Sequence, residues 1–450
     1  MGKYFGTDGF RGKANVDLNS NHAFLIGSFF GQLAAKEGKK EKKIVIGQDT
    51  RLSGDMFVNA LAAGITSAGA DAYILGTVPT PGVAFITKSY GFNFGIMVSA
   101  SHNPYEDNGI KVLNCNGEKL DEDTVDECEK YIDNGVDNVV LAQSDSIGES
   151  SGFHSAHIRY IDHLKSCVSH SFDGLKIALD CANGSASNFA GELFRDLGAD
   201  VHVLSNDPNG VNINVDCGST HIEALCKFVK DNGYDMGFAY DGDADRCLAS
   251  DKNGKPVSGD ELMLLLARRL KAQNKLANDV LVTTIMSNFG LYKALDSLGL
   301  KYEKTAVGDK YVYENMLENG HVLGGEQSGH IIFGDLATTG DGMLTSLMVV
   351  DSLIELGETL DEAASKMTVY PQVLKNVTVD DKEKTMLDDE IQAAIENSEA
   401  NLKGDGRVLV RPSGTEPFIR VMAEASTDEL CEKAVDDIIA AMKKYGHIVG

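Results

Sequence analysis

The sequence predicts an α/β protein in which three successive α/β units precede a smaller C-terminal α+β domain. Short apolar runs of strand length alternate with segments of helical periodicity, and this alternation starts afresh twice along the chain. With 450 residues, the chain is also longer than one hydrophobic core usually serves. Beyond Tyr370 the composition changes. We therefore predict domains at residues 1–150, 151–254, 255–369 and 370–450.

The first unit alternates helices with buried strands, and its last predicted strand leads directly into Ser101. In open α/β domains ligands gather at the carboxyl ends of strands, so the loop at Ser101 is a candidate site. The predicted elements are helices over 21–35 and 55–69 and strands over 43–47, 71–76 and 92–100.

The second and third units repeat the alternation, and the second contains a strand that ends at Asp241. Their predicted strands cover 175–180, 201–204, 236–240 and 280–286, and their helices cover 186–198, 222–229, 261–273, 291–299 and 342–356. The C-terminal domain is predicted to contain strands over 373–379, 407–412 and 418–425 and helices over 390–396 and 429–444.

The composition excludes several classes of protein. A formal net charge of -26 argues against a general nucleic-acid binder, because nonspecific affinity for phosphate backbones depends on clustered Lys and Arg. We find no signal-peptide pattern and no apolar run long enough to span a membrane. The eight cysteines form no CxxC pair, which favours reduced thiols. We expect a cytoplasmic protein that binds neither nucleic acid nor membrane.

Ser101 is the first candidate catalytic residue. The segment VSASHNPYEDNGIK presents its hydroxyl at a strand end, beside His102 and ten residues before Lys111. These two neighbours could assist a nucleophilic oxygen or a bound phosphate. The alternative is an ordinary turn serine, which a Ser-His pair alone does not exclude.

Asp241, Asp243 and Asp245 follow a buried strand at alternate positions, which predicts that they point the same way. Three carboxylates so close together repel one another unless a cation lies among them, and hard oxygen ligands suit Mg²⁺ or Ca²⁺. A calcium EF-hand loop needs Gly sixth and Glu twelfth, where this chain has Arg246 and Lys252. Mg²⁺ is favoured over the alternative of a solvated acidic turn.

Two further loops suit a phosphorylated sugar. The segment GGEQSGH contains Glu326 and Ser328, an acceptor and a hydroxyl that suit vicinal sugar hydroxyls. The alternative is a plain Gly-rich turn without a ligand. RPSGTEPFIR joins a small hydroxyl-rich loop to two arginines, which suits a phosphate group. Its candidate ligands are Arg411, Ser413, Gly414, Thr415 and Arg420.

The segments SASHNP, DGDADR, GEQSGH and RPSGTEP, in this order, resemble the four signature loops of the α-D-phosphohexomutases. The resemblance covers essentially the whole chain. It implies three related α/β domains with mixed sheets and a C-terminal α+β domain, arranged around a central cleft. The opening FGTDGFRG and the segments NINVDCGSTH and TAVGDKYV are most similar to members that act on glucosamine phosphates.

The resemblance also implies a reaction. Glucosamine 6-phosphate and glucosamine 1-phosphate would interconvert through a phosphoserine enzyme and a sugar 1,6-bisphosphate intermediate, towards UDP-N-acetylglucosamine and cell-wall precursors. Ser101 would carry the phosphate and share Mg²⁺ with Asp241, Asp243 and Asp245. A homodimer is also implied. The remaining implied site residues are Arg11, Lys111 and His330 for catalysis, with Lys111 as general acid/base, and Arg246, Glu326, Ser328, Arg411, Ser413, Gly414, Thr415 and Arg420 for the substrate.

Two residues depart from the pattern of many relatives: Phe10 stands where isoleucine is common in this subgroup, and Ala244 replaces a glycine of the metal loop. If the aspartates alternate as in a strand, its methyl group points away from the ligands. Two other functions remain open. A relative that prefers glucose or mannose phosphates would use the same groups, and a metal-dependent phosphomonoesterase would release the phosphate to water. A catalytically silent binding protein is a third alternative.

Overall fold

The computed structural model describes residues 2–36, 41–136, 139–413 and 418–448. The chain divides into two compact units. The larger comprises Met1–Met286 and Lys301–Ser365, and the smaller comprises Ser287–Leu300 and Lys366–Gly450. Within the described ranges, the larger unit contains three sheets and the smaller unit contains one.

The first sheet has seven strands: β1 (Phe5–Gly6), β2 (Gly9–Lys13), β3 (Lys43–Gln48), β4 (Asp71–Thr77), β5 (Phe94–Val98), β6 (Asp107–Leu113) and β7 (Ser150–Gly152). Their order is β1-β2-β6-β5-β3-β4-β7. Strands β5, β3 and β4 are parallel, whereas β6 and β2 join antiparallel, so the sheet is mixed. Every residue of β5 is buried, as expected for a strand covered on both faces. The helices here are α1 (Ser20–Lys36), α2 (Gly54–Ser67), α3 (Thr80–Ser89), α4 (Glu122–Asn134) and α5 (His157–Ser166).

The second sheet consists of β8 (Lys176–Asp180), β9 (Asp200–Leu204), β10 (Met236–Tyr240), β11 (Cys247–Asp251) and β12 (Pro256–Val257), with helices α6 (Ala190–Asp196) and α7 (Glu223–Asn232). Its order is β12-β11-β10-β8-β9. Strand β10 is fully buried and pairs parallel with β8 and antiparallel with β11. The carboxyl end of this central strand therefore delivers Asp241 into the interior.

The third sheet has the order β14-β13-β15-β16. The antiparallel pair β15 and β16 encloses the loop 326–330. Its strands are β13 (Val280–Thr284), β14 (Lys301–Thr305), β15 (Leu323–Gly325) and β16 (Ile331–Phe333). The accompanying helices are α8 (Gly259–Ala272), α9 (Phe289–Ser297), which belongs to the smaller unit, α10 (Asp309–Asn319), α11 (Gly342–Leu356) and α12 (Leu360–Ala364).

The smaller unit packs helices on a three-stranded antiparallel sheet of order β17-β19-β18. Val421 and Ala423 of the central strand lie in one buried cluster with Val435 and Ile438. This unit is the predicted α+β domain, extended by α9. Its further elements are β17 (Gln372–Thr378), β18 (Gly406–Pro412), β19 (Phe418–Ala425), α13 (Lys382–Leu387), α14 (Asp389–Asn401) and α15 (Asp428–Lys444).

The α/β class and the predicted elements of strong periodicity are confirmed. Strand β10 and helix α11 begin and end at the predicted residues. The helix predicted over 186–198 is shorter, because a 3₁₀ turn at Ser185–Asn188 precedes α6. The cysteines are free thiols. Among the described residues, we find no helix with the length and apolar character needed to cross a membrane.

Candidate active site

Ser101 lies in a tight turn three residues after the end of β5. Its side chain is almost completely buried, and its hydroxyl donates to Asp241 Oδ2 at 2.5 Å. His102 Nδ1 lies 3.3 Å from Ser101 Oγ. The backbone of Ser101 has a φ of 53°, in the left-handed region that costs a non-glycine residue about 1–2 kcal/mol. The surrounding contacts must therefore hold this turn.

The backbone of Ser101 is held from both sides. Its N–H donates to Ser99 Oγ at 2.9 Å, and Ser99 in turn donates to Asp49 Oδ2 at 2.6 Å. Its carbonyl oxygen accepts from Arg51 at 2.8 Å and from Asn214 Nδ2 at 2.9 Å. These four residues come from three separate segments, so long-range contacts fix the position of the hydroxyl.

Arg51 is a buried anchor of this loop. It forms an ion pair with the equally buried Asp49 at 2.9 Å, which satisfies both charges. Its other guanidinium hydrogen atoms point at backbone carbonyl oxygens of the Ser101 loop and of β6. The acceptors are Ser101, Asn103, Pro104 and Asp107.

Asp241, Asp243 and Asp245 lie close together as predicted, but the predicted cause, alternation along an extended strand, is wrong. Each offers a carboxylate oxygen, and these atoms lie within 4.8 Å of one another. They lie in a turn after β10 rather than in an extended strand, and Ala244 has a φ of 55°. The turn, not strand alternation, brings the side chains together. It also explains why a glycine would suit position 244.

The charge on this cluster is only partly balanced by protein groups. Burial, with the neighbouring Asp245 and Asp243, raises the pKa of Asp241 well above its ordinary value. Burial alone would also raise the pKa of Asp245, but Lys111 and His330 hold it well below its usual range. A cation among the three oxygens would relieve the repulsion that raises the pKa of Asp241.

Two carboxylate oxygens of the cluster are available to such a cation. Asp243 Oδ1 and Asp245 Oδ1 are buried and have no hydrogen-bond partner within the described ranges. Buried carboxylate oxygens without donors are costly unless a cation binds them. The donor set is made only of oxygens, which is the type that Mg²⁺ prefers. The residues therefore fit a divalent cation.

Lys111 lies on β6 and faces the aspartates. Its Nζ is 2.9 Å from Asp243 Oδ2, 3.5 Å from Asp245 Oδ2 and 3.2 Å from Asp8 Oδ2. Burial alone would lower the pKa of Lys111, but these carboxylates raise it above its ordinary value. Arg11 also pairs with Asp8. Both predicted cations therefore lie at the edge of the metal loop.

His330 connects the metal loop to α10. Its Nδ1 lies 3.7 Å from Asp245 Oδ2, and its Nε2 lies 3.5 Å from Asp309 Oδ2. Burial lowers its pKa, but the carboxylates of Asp245 and Asp309 raise it to about 9. The Gly340 N–H donates to Nε2 at 2.9 Å, which opposes protonation at that nitrogen. In the neutral form of the ring, the proton therefore belongs on Nδ1, facing Asp245.

The predicted sugar loop lies between β15 and β16. Glu326 Oε1 accepts from the Gly308 N–H at 3.0 Å, and Ser328 Oγ is buried without a partner in the described part of the chain. Arg246, at the end of the metal loop, donates its backbone N–H to Asp241 Oδ1 at 3.2 Å. Its Nε is also buried, lies 3.9 Å from Asp245 Oδ1 and has no hydrogen-bond partner among the described residues. The Ser328 hydroxyl and the Arg246 Nε–H are thus two donors that could bind a polar ligand.

In the smaller unit, Arg411 and Arg420 are direct cross-strand partners on β18 and β19. Burial and the neighbouring Arg420 lower the pKa of Arg411. Two like charges in opposed positions destabilise a sheet, and an anion bound between them would remove the repulsion. Ser413 follows the last residue of β18, and its N–H donates to the Phe418 backbone carbonyl oxygen. Gly414 and Thr415 lie outside the described residues.

Sequence reasoning missed several residues that hold this site. Asp49 follows β3 as Asp241 follows β10, so the strand-end rule could have found it. Asp8 lies in FGTDGFRG, a segment that was noted only for its resemblance. Asn214 and Asp309 lie in NINVDCGSTH and TAVGDKYV, which were likewise noted only for their resemblance. Thr80 carries no local signal, because its contact is with a residue distant in the chain.

Four family models match the chain, all described as phosphoglucomutase/phosphomannomutase domains. The alpha/beta/alpha domains I, II and III match residues 2–138, 158–254 and 258–370, and the C-terminal domain matches 374–441.

Curated relatives match over the whole chain. A phosphoglucosamine mutase of Lachnoclostridium phytofermentans is 50% identical and one of Lachnospira eligens is 49% identical, with 100% of each chain covered. Among solved structures, a phosphoglucomutase/phosphomannomutase family protein from Burkholderia thailandensis superposes with a TM-score of 0.81 at 24% identity, covering 99% of this chain and 98% of that one. An Aspergillus fumigatus N-acetylphosphoglucosamine mutase, solved with GlcNAc-6P and magnesium, gives 0.66 at 19% identity, covering 98% and 96%. The two structures support the same fold.

Proposed function

Because the chain belongs to the phosphoglucomutase/phosphomannomutase family of α-D-phosphohexomutases, we propose that it interconverts glucosamine 6-phosphate and glucosamine 1-phosphate. The relatives that are about 50% identical over their full length are phosphoglucosamine mutases. One observation supports the chemistry above all others. The buried hydroxyl of Ser101 lies 2.5 Å from a carboxylate of the aspartate cluster.

In the proposed reaction Ser101 enters as a phosphoserine. A free hydroxyl of the sugar phosphate attacks the phosphorus, the bond to Ser101 Oγ breaks, and a sugar 1,6-bisphosphate forms. The bisphosphate reorients, and Ser101 Oγ attacks its other phosphate group. Each turnover therefore returns a phosphate to the enzyme and releases an isomer, with no phosphate given to water.

The carboxylates of Asp241, Asp243 and Asp245 would hold Mg²⁺, together with the phosphate on Ser101. When bound, Mg²⁺ supplies neutralisation of the charge that develops on the transferred group. The unpartnered oxygens of Asp243 and Asp245 support this assignment.

Proton transfer is assigned from the surroundings of two side chains. Lys111, with its raised pKa, is protonated at neutral pH, so we assign it as a proton donor and a charge-neutralising cation rather than a general base. Burial, with Arg246 and Arg11 nearby, lowers the pKa of His102 to about 4. His102 is therefore neutral at pH 7 and its Nδ1 lies 3.3 Å from Ser101 Oγ, whereas the Ser101 hydroxyl donates its proton to Asp241 Oδ2.

Substrate binding is divided between several loops. Glu326 and Ser328 would bind sugar hydroxyls, and Arg246 would bind the phosphate nearest the metal loop. Arg11 and His330 would support the reacting groups. The arginine pair of the smaller unit, with Ser413, Gly414 and Thr415, would hold the phosphate that is not reacting. A homodimer and a cytoplasmic location stay predictions.

The role of Ser101 is tested by intact-mass measurement and by Ser101→Ala. We expect wild-type protein incubated with glucose 1,6-bisphosphate to carry one phosphate, and the variant to carry none and to lose mutase activity. Ser67→Ala is the matched control, because that hydroxyl donates only within its own helix, to Gly64 O. A Ser101→Ala enzyme with full activity would refute the mechanism.

The identity of the sugar is tested separately. We expect a higher kcat/KM for glucosamine 1-phosphate than for glucose 1-phosphate or mannose 1-phosphate. A clear preference for either neutral sugar would refute the assignment to glucosamine while leaving the phosphoserine mechanism intact.

A further inference from the structure

Thr80 is a residue that the reaction above does not use, yet it touches the aspartate cluster. It is the first residue of α3, far from the cluster in sequence, and it is 4% exposed. Its hydroxyl donates to Asp243 Oδ2 at 2.6 Å, and its N–H donates to the Asp243 backbone carbonyl oxygen at 3.0 Å. One residue therefore binds both the side chain and the main chain of Asp243.

The start of α3 is a suitable place for this contact. The first N–H groups of a helix have no intrahelical acceptor, and the helix dipole is positive at this end. Asp243 supplies the acceptor that the Thr80 N–H needs, and its carboxylate lies where negative charge is stabilised. The backbone contact fixes the distance between α3 and the metal loop.

The two oxygens of the Asp243 carboxylate differ as a result. Oδ2 accepts from Thr80 and from Lys111 Nζ, at 2.6 and 2.9 Å. Oδ1 is buried and has no partner among the residues that the structure describes. Rotation of the carboxylate would break two hydrogen bonds of a buried group, so Oδ1 is the oxygen that remains for a cation.

We propose that Thr80 is a positioning residue of the metal site. Its hydroxyl fixes the rotation of Asp243 so that Oδ1 faces the other aspartates, without itself touching the cation. The proposal rests on the proposed function, because it presumes a divalent cation among Asp241, Asp243 and Asp245. It adds a residue outside the signature loops to the determinants of metal affinity.

Three variants test this role. Thr80→Val removes the hydroxyl at similar volume, and Thr80→Ser keeps it. Thr87→Val is the matched control, since Thr87 is a buried threonine of the same helix whose hydroxyl donates to Val83 O at 2.7 Å. Each protein is stripped with EDTA, brought to the same Ser101 phosphorylation state as judged by intact mass, and titrated with Mn²⁺ by calorimetry.

We expect Thr80→Val to bind Mn²⁺ about 10- to 100-fold more weakly than wild type, the usual effect of losing a hydrogen bond to a metal ligand. Thr80→Ser and Thr87→Val should bind close to wild type. Unchanged affinity in Thr80→Val would overturn the role of Thr80 and leave the proposed function standing, as would equal weakening in Thr87→Val. A wild-type protein that binds no Mn²⁺ would instead contradict the proposed metal site itself.

Discussion

Arg51→Lys should show whether Arg51 supports the Ser101 loop through its hydrogen bonds or only balances the charge of Asp49. The guanidinium donates five hydrogen bonds, one to Asp49 and four to backbone carbonyl oxygens. Lysine has three N–H donors on one atom, so at least two of the five hydrogen bonds are lost. Each such bond contributes about 1.5–3 kcal/mol, so we expect the unfolding free energy to fall by about 3–6 kcal/mol. That is a large part of the usual total, yet the charge on Asp49 stays paired.

The assay compares stability with catalysis in the folded protein. Urea unfolding gives the free energy, and intact mass gives the rate at which glucose 1,6-bisphosphate phosphorylates Ser101 at low temperature. We expect that rate and kcat to fall about 10- to 100-fold, because the Ser101 loop loses hydrogen bonds from the guanidinium, its remaining support from Asn214 is weaker, and the strained turn relaxes. KM should change much less.

Arg269→Lys is the matched control for this substitution. Arg269 is also buried, and it pairs with Asp351 and with Glu355 at 2.7 Å. Its replacement should cost a comparable amount of stability while leaving kcat of the folded enzyme unchanged. Wild-type kcat in Arg51→Lys, or an equal loss of kcat in Arg269→Lys, would refute the reasoning.

Three further substitutions have defined outcomes. Asn214→Ala removes two hydrogen bonds to backbone carbonyl oxygens of the Ser101 loop and should lower kcat about tenfold. Asn212→Ala is the control and should leave kcat unchanged, because the Asn212 side-chain amide donates to Asp207 O within its own loop. Burial raises the pKa of Asp341 from 3.8 to about 6, so the folded state favours the protonated form and loses stability as pH rises between these values. Asp341→Asn should remove this pH-dependent loss. The unfolding free energy of the variant minus that of the wild type should therefore increase by about 3 kcal/mol between acid pH and pH 7. A difference that does not change with pH would contradict this reasoning. Arg420→Gln should relieve repulsion with Arg411, raising stability by about 0.2–1 kcal/mol without ligand, and raise KM about tenfold or more; an unchanged KM would exclude phosphate binding there.

The fold was predictable from the sequence where periodicity was strong. Strand β10 has five buried residues and helix α11 has a long apolar run. Both patterns can be interpreted without knowledge of the neighbouring elements. Strands β1 and β2 were not predicted, because FGTDGFRG is short, polar and rich in glycine. Strand β6 was missed because its sequence, DNGIKVL, begins with turn-forming residues. Pairing with β5 overrides that local preference.

The candidate site was predictable as a set of loops but not as a network. The proximity of the aspartates and of Ser101 to Asp241 agrees with the strand-end rule. The support of Ser101 by Arg51 and Asn214 could not be predicted, since it joins segments 50 and 113 residues away in the chain. The behaviour of Lys111 was also beyond the sequence, because its pKa depends on three carboxylates that only the fold brings to it.

The central claim is that the phosphate on Ser101 returns to a sugar rather than to water. Phosphorus NMR of glucosamine 1-phosphate mixed with the enzyme, Mg²⁺ and a trace of glucose 1,6-bisphosphate tests it directly. We predict a growing signal of glucosamine 6-phosphate, no inorganic phosphate, and no change with Ser101→Ala. Inorganic phosphate that accumulates faster than glucosamine 6-phosphate would contradict the account and identify the protein as a phosphatase.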